Sequence, residues 1–471
     1  MFRIPPFIIP ALISMLALAM PHRARGADIA PPVRATAEAL IDQALASTLA
    51  YELLESLTTE VGPRLAGSAN DARAVAWAMA NLQNLGFDRV WSEPVAVTAW
   101  ARGAESAAII APFPQALAVT ALGGSIATPA AGLEAEVVSF LDVVDLAAAD
   151  PAEVAGKIVY LGKRMSRAQD GSGYGPTVVN RRDGASLAAR LGARALVIRS
   201  VGTDGNRLPH TGLLRYDEKR GKIPAAALAN PDADLLEAVL ARGQPVRLKL
   251  TLAPRDLGPA TSHNVIAEIS GRARPEDIVL IGAHLDSWDL GTGAIDDGAG
   301  VAITVAAAKL IADLPASQRP ARSLRLVLFA AEETGLFGAR AYAEAHHDTL
   351  SHHVLAWESD FGAGRVWQIQ AGVGSGALDG VKAMARLLIP LGIDYGGEGG
   401  HGGPDIGPLR AAGVPTLTLA QDGTDYFDLH HTANDTFDKV DPAVLAQNVA
   451  AHAAMAYLAT MADTDFRAEA P

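Results

Sequence analysis

The segment IGAHLDSWDLGTGAIDDGAG, residues 281–300, sets one histidine and four aspartates at the end of an apolar run. Imidazoles and carboxylates are the donors of a metal site. The chain has no cysteine, so disulfides, thiolate ligands and cysteine nucleophiles are excluded. In an extended stretch, residues i and i+2 share a side. Asp286 is therefore expected to reach the far ring nitrogen of His284, fix its tautomer and leave the other nitrogen for a metal. Of the pair Asp296–Asp297, the second reads as the cap of the helix that follows. The first reads as a carboxylate shared between two ions.

Three further clusters complete the set. In AAEETG, the neighbours Glu332 and Glu333 would diverge if extended, so one can ligate while the other faces a reacting water. Glu332 is the expected general base and Glu333 the ligand; the plainer alternative is an acidic pair opening a helix. Asp360 in ESDFG and His431 in DLHHTANDT supply the remaining ligands. His284, Asp296, Glu333, Asp360 and His431 suit two ions about 3.5–4 Å apart, with Asp296 common to both. Nitrogen and oxygen donors without sulfur favour two zinc ions per chain, with cobalt or manganese as substitutes. His430 and His401 are weaker candidates for contacting substrate, and His401 sits in a glycine-rich loop where a turn is an equal reading. His346, His347, His352 and His353 read as surface residues.

These residues need a scaffold that brings distant segments to one place. From residue 262 onward, apolar strand patterns alternate with helical ones: NVIAEIS, DIVLIGA, SLRLVLFA, HVLAWES and VPTLTLA are the strands. Near-continuous apolar strands in βα order predict an α/β fold, a largely parallel sheet sandwiched by helices. His284, Glu332–Glu333, Asp360 and His431 each follow a different strand, on the edge where such sheets bind ligands. Residues 69–85 predict a helix capped by Asn70 or Asp71, and 87–100 a strand. Residues 101–258 have a different texture, with short β-like runs and helical patterns only near 185–191 and 232–241. They are expected to form an inserted β-rich domain between catalytic segments 27–100 and 259–471.

Residues 1–26 have an arginine, a short apolar run and small residues before a break, the pattern of a secretory signal peptide. The apolar run over 7–19 falls short of the roughly 20 residues a membrane span needs. The expectation is an exported protein, periplasmic or extracellular, with no membrane partner. The net charge of −13 argues against nucleic acid. It grows more negative once Arg3, Arg23 and Arg25 are removed.

GAHLDSWDLGTGAIDDGAG, AAEETGLFGARAY, ESDFG and DLHHTANDT resemble the blocks of the co-catalytic zinc aminopeptidase family. YGPTVVNRRDGA, GARALVIRSVG, PHTGLLRYDEK and KIPAAALANPDADLL resemble an inserted protease-associated-type domain found in that family. The resemblance implies a di-zinc exopeptidase with the zinc exopeptidase fold. In it His284 and Asp360 hold one zinc, Glu333 and His431 the other, and Asp296 bridges them, with Glu332 as base. It implies short peptide substrates, dipeptides with a free N-terminus, and a homodimer. It also implies a cis bond after Asp296. Some relatives have an oxyanion-stabilising tyrosine just before the last histidine. Here that position is His430, which leaves His430 or a residue elsewhere as the donor. Two alternatives share the architecture: a glutaminyl cyclase-like acyltransferase, which keeps one zinc, and a transferrin-receptor-like binding module, which keeps none. The full ligand set favours neither.

Overall fold

The computed structural model describes Met1, residues 29–219 and residues 221–469. The expected signal peptide falls on residues outside these. No helix among the described residues is long and apolar enough to cross a membrane.

The main sheet has eight strands in the spatial order Arg89–Ala101, Arg255–Ile269, Arg322–Phe329, Arg274–His284, His353–Glu358, Thr416–Gln421, Val366–Gly372 and Asp394–Glu398. The central four, from Arg322–Phe329 to Thr416–Gln421, are mutually parallel. The outer pairings are antiparallel, except that the edge strand Asp394–Glu398 runs parallel to its neighbour. Strand alternation distributes the core between two faces. Val279, Ile281 and Ala283 pack with the helices Pro31–Ala46, Ala299–Ala312 and Pro442–Met461. Ile278 and Leu280 pack on the other face with Tyr342 and Leu409, from helices Phe337–Ala345 and Gly407–Ala411. Both faces are covered, which is why these strands read as unbroken apolar runs.

A second eight-stranded sheet takes its strands from residues 105–252. It is less purely β than its texture implied. Four of its strands, Leu133–Phe140, Ile158–Leu161, Ala195–Arg199 and Ala225–Leu228, are mutually parallel. Helices Gly175–Arg190 and Asn230–Leu240 accompany them. The first of these is longer than expected, because its interior Asn180, Arg181 and Arg182 hide its apolar periodicity. The two chain crossings between the sheets form one antiparallel ribbon. Ala101 pairs with Arg255, the Ala253 amide donates to the Ala104 carbonyl at 3.0 Å, and Glu105 pairs with Leu252. Gly103 packs so close to the Ala253 carbonyl that a Cβ would fall 1.9 Å from its oxygen.

Helix Ala69–Leu85 forms as its pattern predicts, but its cap is Ser68, whose hydroxyl accepts from the Asp71 amide. The Asp71 carboxylate turns the other way, to the Gly67 amide and the Ser262 hydroxyl.

Candidate metal centre

Because the four central strands are parallel, their carboxyl ends share one edge, and the candidate residues converge there. His284 is the last residue of its strand. Its ring Nδ1 lies 3.0 Å from the Asp286 backbone carbonyl, which takes the Nδ1 hydrogen and leaves Nε2 as a bare lone pair. The Asp286 carboxylate also faces this nitrogen, as expected, with Oδ1 3.6 Å from Nδ1, and it accepts the Glu332 amide at 3.0 Å.

Nε2 of His284 lies 3.1 Å from Asp296 Oδ1 and 3.5 Å from Asp360 Oδ1. On the other side, Nε2 of His431 lies 3.3 Å from Asp296 Oδ2 and 2.9 Å from Glu333 Oε2. The two oxygens of Asp296 thus face two different histidine–carboxylate pairs. Donor atoms of His284, Asp296 and Asp360 fall within 4.8 Å of one another, as do those of Asp296, His430 and His431. His430 is the poorer donor of the second group. Its ring stacks on His431 with centroids 3.5 Å apart, so the two rings aim side by side, and its Nε2 is 3.7 Å from Asp296 Oδ2. Glu333 approaches His431 from across the site.

Glu332 and Glu333 lie in a turn after Ala331, whose φ is 56°, and not in an extended stretch. The pair still diverges. Glu333 meets His431, while Glu332 lines a cavity of about 470 Å³ together with Asp296, Asp360 and His431. The Glu332 carboxylate has no hydrogen-bond partner among the described residues. The Asp296–Asp297 peptide is cis. Asp297 accepts from the Gly300 amide at the start of helix Ala299–Ala312, as a cap does, and from the His284 amide. His401 is exposed at the cavity's far wall, in a loop whose Gly402 and Gly403 have φ of 87° and 110°. A Cβ on Gly403 would fall 2.1 Å from the Glu358 carboxylate.

Supporting residues come from three places that sequence patterns did not single out. Arg64, fully buried, donates to the carbonyls of Leu285, Thr292 and Gly293. It ties the loop between His284 and Asp296 into one shape. Asp435 accepts the amides of Ile295 and Asp296. The second sheet's unit grips the His431 segment. His210 bonds the His430 carbonyl at 2.7 Å through Nδ1 and Asp204 at 2.8 Å through Nε2. The Thr211 amide donates to the His431 carbonyl, and the Thr211 carbonyl lies 3.3 Å from His431 Nδ1. A lone arginine in a loop, or a histidine in a stretch without other donors, leaves no periodic signal.

The electrostatics calls for added positive charge. Burial is the largest influence on the carboxyls of Glu332, Glu333 and Asp360 and raises all three, with neighbouring acids adding to it. Burial likewise opposes the charged form of His284, yet Asp360, Asp286 and Asp296 outweigh it and hold its ring well above the usual range. Asp296 falls well below its usual range despite burial, because His284 and His431 both face it. Glu333 Oε1 and Asp286 Oδ2 are buried without hydrogen-bond partners among the described residues. With the Nδ1 hydrogen of His284 given to a carbonyl, its Nε2 meets carboxylate oxygens as acceptor against acceptor. A proton or a metal cation between them is required, and the nitrogen–oxygen donor set fits zinc.

The model of Peptidase family M28 matches residues 264–456. Carboxypeptidase Q of Mus musculus is 38% identical over 417 residues, covering 88% of this chain and 86% of that protein. The Homo sapiens carboxypeptidase Q is 37% identical over 427 residues, covering 90% and 88%. The chain belongs to peptidase family M28. A solved M28 peptidase precursor from Shewanella amazonensis SB2B superposes on this M28 chain with a TM-score of 0.91 at 52% identity, covering 93% of this chain and 99% of that one. An aminopeptidase from Aneurinibacillus sp. strain AM-1, 24% identical with a TM-score of 0.63, shares the fold. The likeness to carboxypeptidase Q and to the Shewanella amazonensis structure covers 88–93% of this M28 chain, well beyond the residues that the family model matches. It is a metallo-exopeptidase, and its substrates are peptides.

Proposed function

We propose that this M28 enzyme is an exported di-zinc exopeptidase of short peptides, acting on dipeptides with a free N-terminus. The observation that carries the reading is Asp296, whose two oxygens face the His284–Asp360 pair and the His431–Glu333 pair. His284 and Asp360 would hold one ion, His431 and Glu333 the other, with Asp296 between. When bound, such a pair acts as a Lewis acid on a peptide carbonyl and makes a bound water acidic. Glu332, on the cavity wall with no side-chain partner among the described residues, would take a proton from the attacking water and return it to the departing amine. Asp286 holds the Glu332 backbone amide and so sets where the base stands. Residues 101–258 act as a protease-associated-type cap. Tyr174, Arg181 and Arg182 from this segment line the cavity, and a roofed cavity favours short substrates. Export rests on the signal-peptide pattern of residues 1–26.

The test is hydrolysis of one dipeptide by the zinc-loaded protein in three forms, free, N-acetylated and C-terminally amidated, beside a longer peptide. Cleavage of the free and amidated forms, loss with the acetylated form and poor cleavage of the longer peptide are expected. Cleavage of the acetylated form but not the amide would mean that a C-terminal carboxylate is read instead.

A further inference from the structure

Amide hydrolysis is faster when a donor is aimed at the carbonyl oxygen as it becomes anionic, in addition to any bound cation. The converging carboxylates of the metal centre only accept. A donor comes from the second sheet's unit. Helix Gly175–Arg190 begins at the cavity with Tyr174 at its N-cap position. Arg181 follows two turns later on the same helix face. Its Nη2 donates to the Tyr174 hydroxyl oxygen at 2.7 Å, its Nη1 donates to the Thr211 carbonyl at 3.3 Å, and its Cζ lies 5.6 Å from the phenol ring centre. Two more contacts fix the ring. Phe427 stacks on it at 5.0 Å with 21° between planes, and His430 meets it edge-on at 5.5 Å and 88°. Both belong to the segment that carries His431, so the phenol is seated against the metal-holding loop.

The Tyr174 oxygen already accepts from a guanidinium, so its own hydrogen is left to donate, and no described residue takes it. A cation on the oxygen also makes the O–H a stronger donor. Tyr174 shares the cavity wall with Glu332, Glu333 and His431. His430 is worse placed, lying flat on His431 with Nε2 toward Asp296. Tyr426 lines the same cavity, and its phenol is the alternative donor that the experiment must separate from Tyr174.

We propose that Tyr174, polarised by Arg181, is a catalytic residue that donates a hydrogen bond to the substrate carbonyl oxygen as the tetrahedral adduct forms, the proton staying on the phenol. The proposal rests on the exopeptidase reading above. The second unit would then complete the active site as well as cover it.

The experiment compares zinc-loaded wild type, Tyr174→Phe and Tyr426→Phe on the free dipeptide, with zinc content and thermal midpoint measured for each. Tyr174→Phe should lower kcat by about 10²–10³-fold with KM nearly unchanged, the loss known for removal of one oxyanion donor. A phosphinic analogue of the dipeptide, tetrahedral and anionic where the carbonyl would be, should bind Tyr174→Phe more weakly by a similar factor. Product amino acids should bind both equally. An unchanged kcat, a rise in KM alone, or an undiminished affinity for the analogue overturns the proposal, as does a kcat loss confined to Tyr426→Phe. Wild type that cleaves no peptide overturns the exopeptidase reading together with this one. Active wild type with an equally active Tyr174→Phe overturns this one alone.

Discussion

Oε2 of Glu333 stands 2.9 Å from Nε2 of His431, although the two residues follow different strands of the parallel core. On its other side the His431 ring presents Nδ1 to the Thr211 carbonyl and to Nη1 of Arg181, each at 3.3 Å. Replacing Glu333 by glutamine removes the charge that makes this arrangement a cation site. Zinc per chain, measured by elemental analysis after dialysis, should fall from about two ions to about one. His284→Asn should do the same on the opposite side of Asp296. Asp296→Asn should lose both ions, since each pair faces one of its oxygens. A retained full complement in Asp296→Asn would remove it from the bridging position.

Glu332 and Glu333 both line the cavity, but the Glu332 carboxylate has no partner among the described residues. Glu332→Gln keeps the shape and the Asp286 contact to the backbone but cannot accept a proton. Turnover should drop by at least about 10²–10⁴-fold, the usual share of a general base, with zinc content unchanged. Loss of zinc alongside activity would make Glu332 a ligand.

Arg64 lies outside the chemistry yet is fully buried, with donors spread over three carbonyls. Arg64→Ala strands those carbonyls and takes the nearest positive charge from Asp435, whose carboxyl burial already pushes up to about 7. The expected cost is about 3–5 kcal/mol, typical of removing one partner from a buried charged network. The urea midpoint at fixed zinc measures it. Arg64→Lys should recover only a small part, because one ammonium cannot reach three carbonyls in a fixed fan.

Two buried histidines away from the metal centre set an acid limit. His353 bonds Tyr342 and the Thr349 carbonyl, and His452 accepts from Trp357. Burial is the first cause in both and lowers them to about 3. The unfolded chain protonates them near 6.5, so below that pH it binds more protons than the folded one. Stability should therefore be complete above about pH 6.5 and fall by about 1.4 kcal/mol per group for each unit of pH toward 3. His452→Gln should make the pH dependence of the urea midpoint shallower between pH 6 and 4. An identical slope in the variant would show that this ring does not contribute.

How legible these features were depends on how local their cause is. The apolar strands and the donors at their ends could be read because period-two burial and strand-end placement are properties of short segments. Val366–Gly372 and Asp394–Glu398 were not anticipated, since VWQIQAG is half polar and DYGGE is rich in glycine. Extended geometry was the wrong assumption for Glu332–Glu333, because the pair lies just past a strand end, where the chain turns. His353 was expected on the surface, but the strand it opens passes through the core and buries it. Tyr174, Arg181 and His210 gave no signal as site residues, because their meaning comes from a second sheet folding over the first.

The antiparallel ribbon from Ala101–Arg255 to Glu105–Leu252 bears on the order in which the molecule assembles. For the long ladder between Arg89–Ala101 and Arg255–Ile269, the whole of residues 102–254 is the loop that must close. Such closure is slow while the intervening chain is a coil. Once the second sheet forms, Glu105 and Leu252 are already opposite each other and the closure is done. The second sheet's unit would act as the nucleus that registers the main sheet's edge, and strand Arg89–Ala101 would wait, during synthesis, for a partner strand that emerges only after that unit is complete.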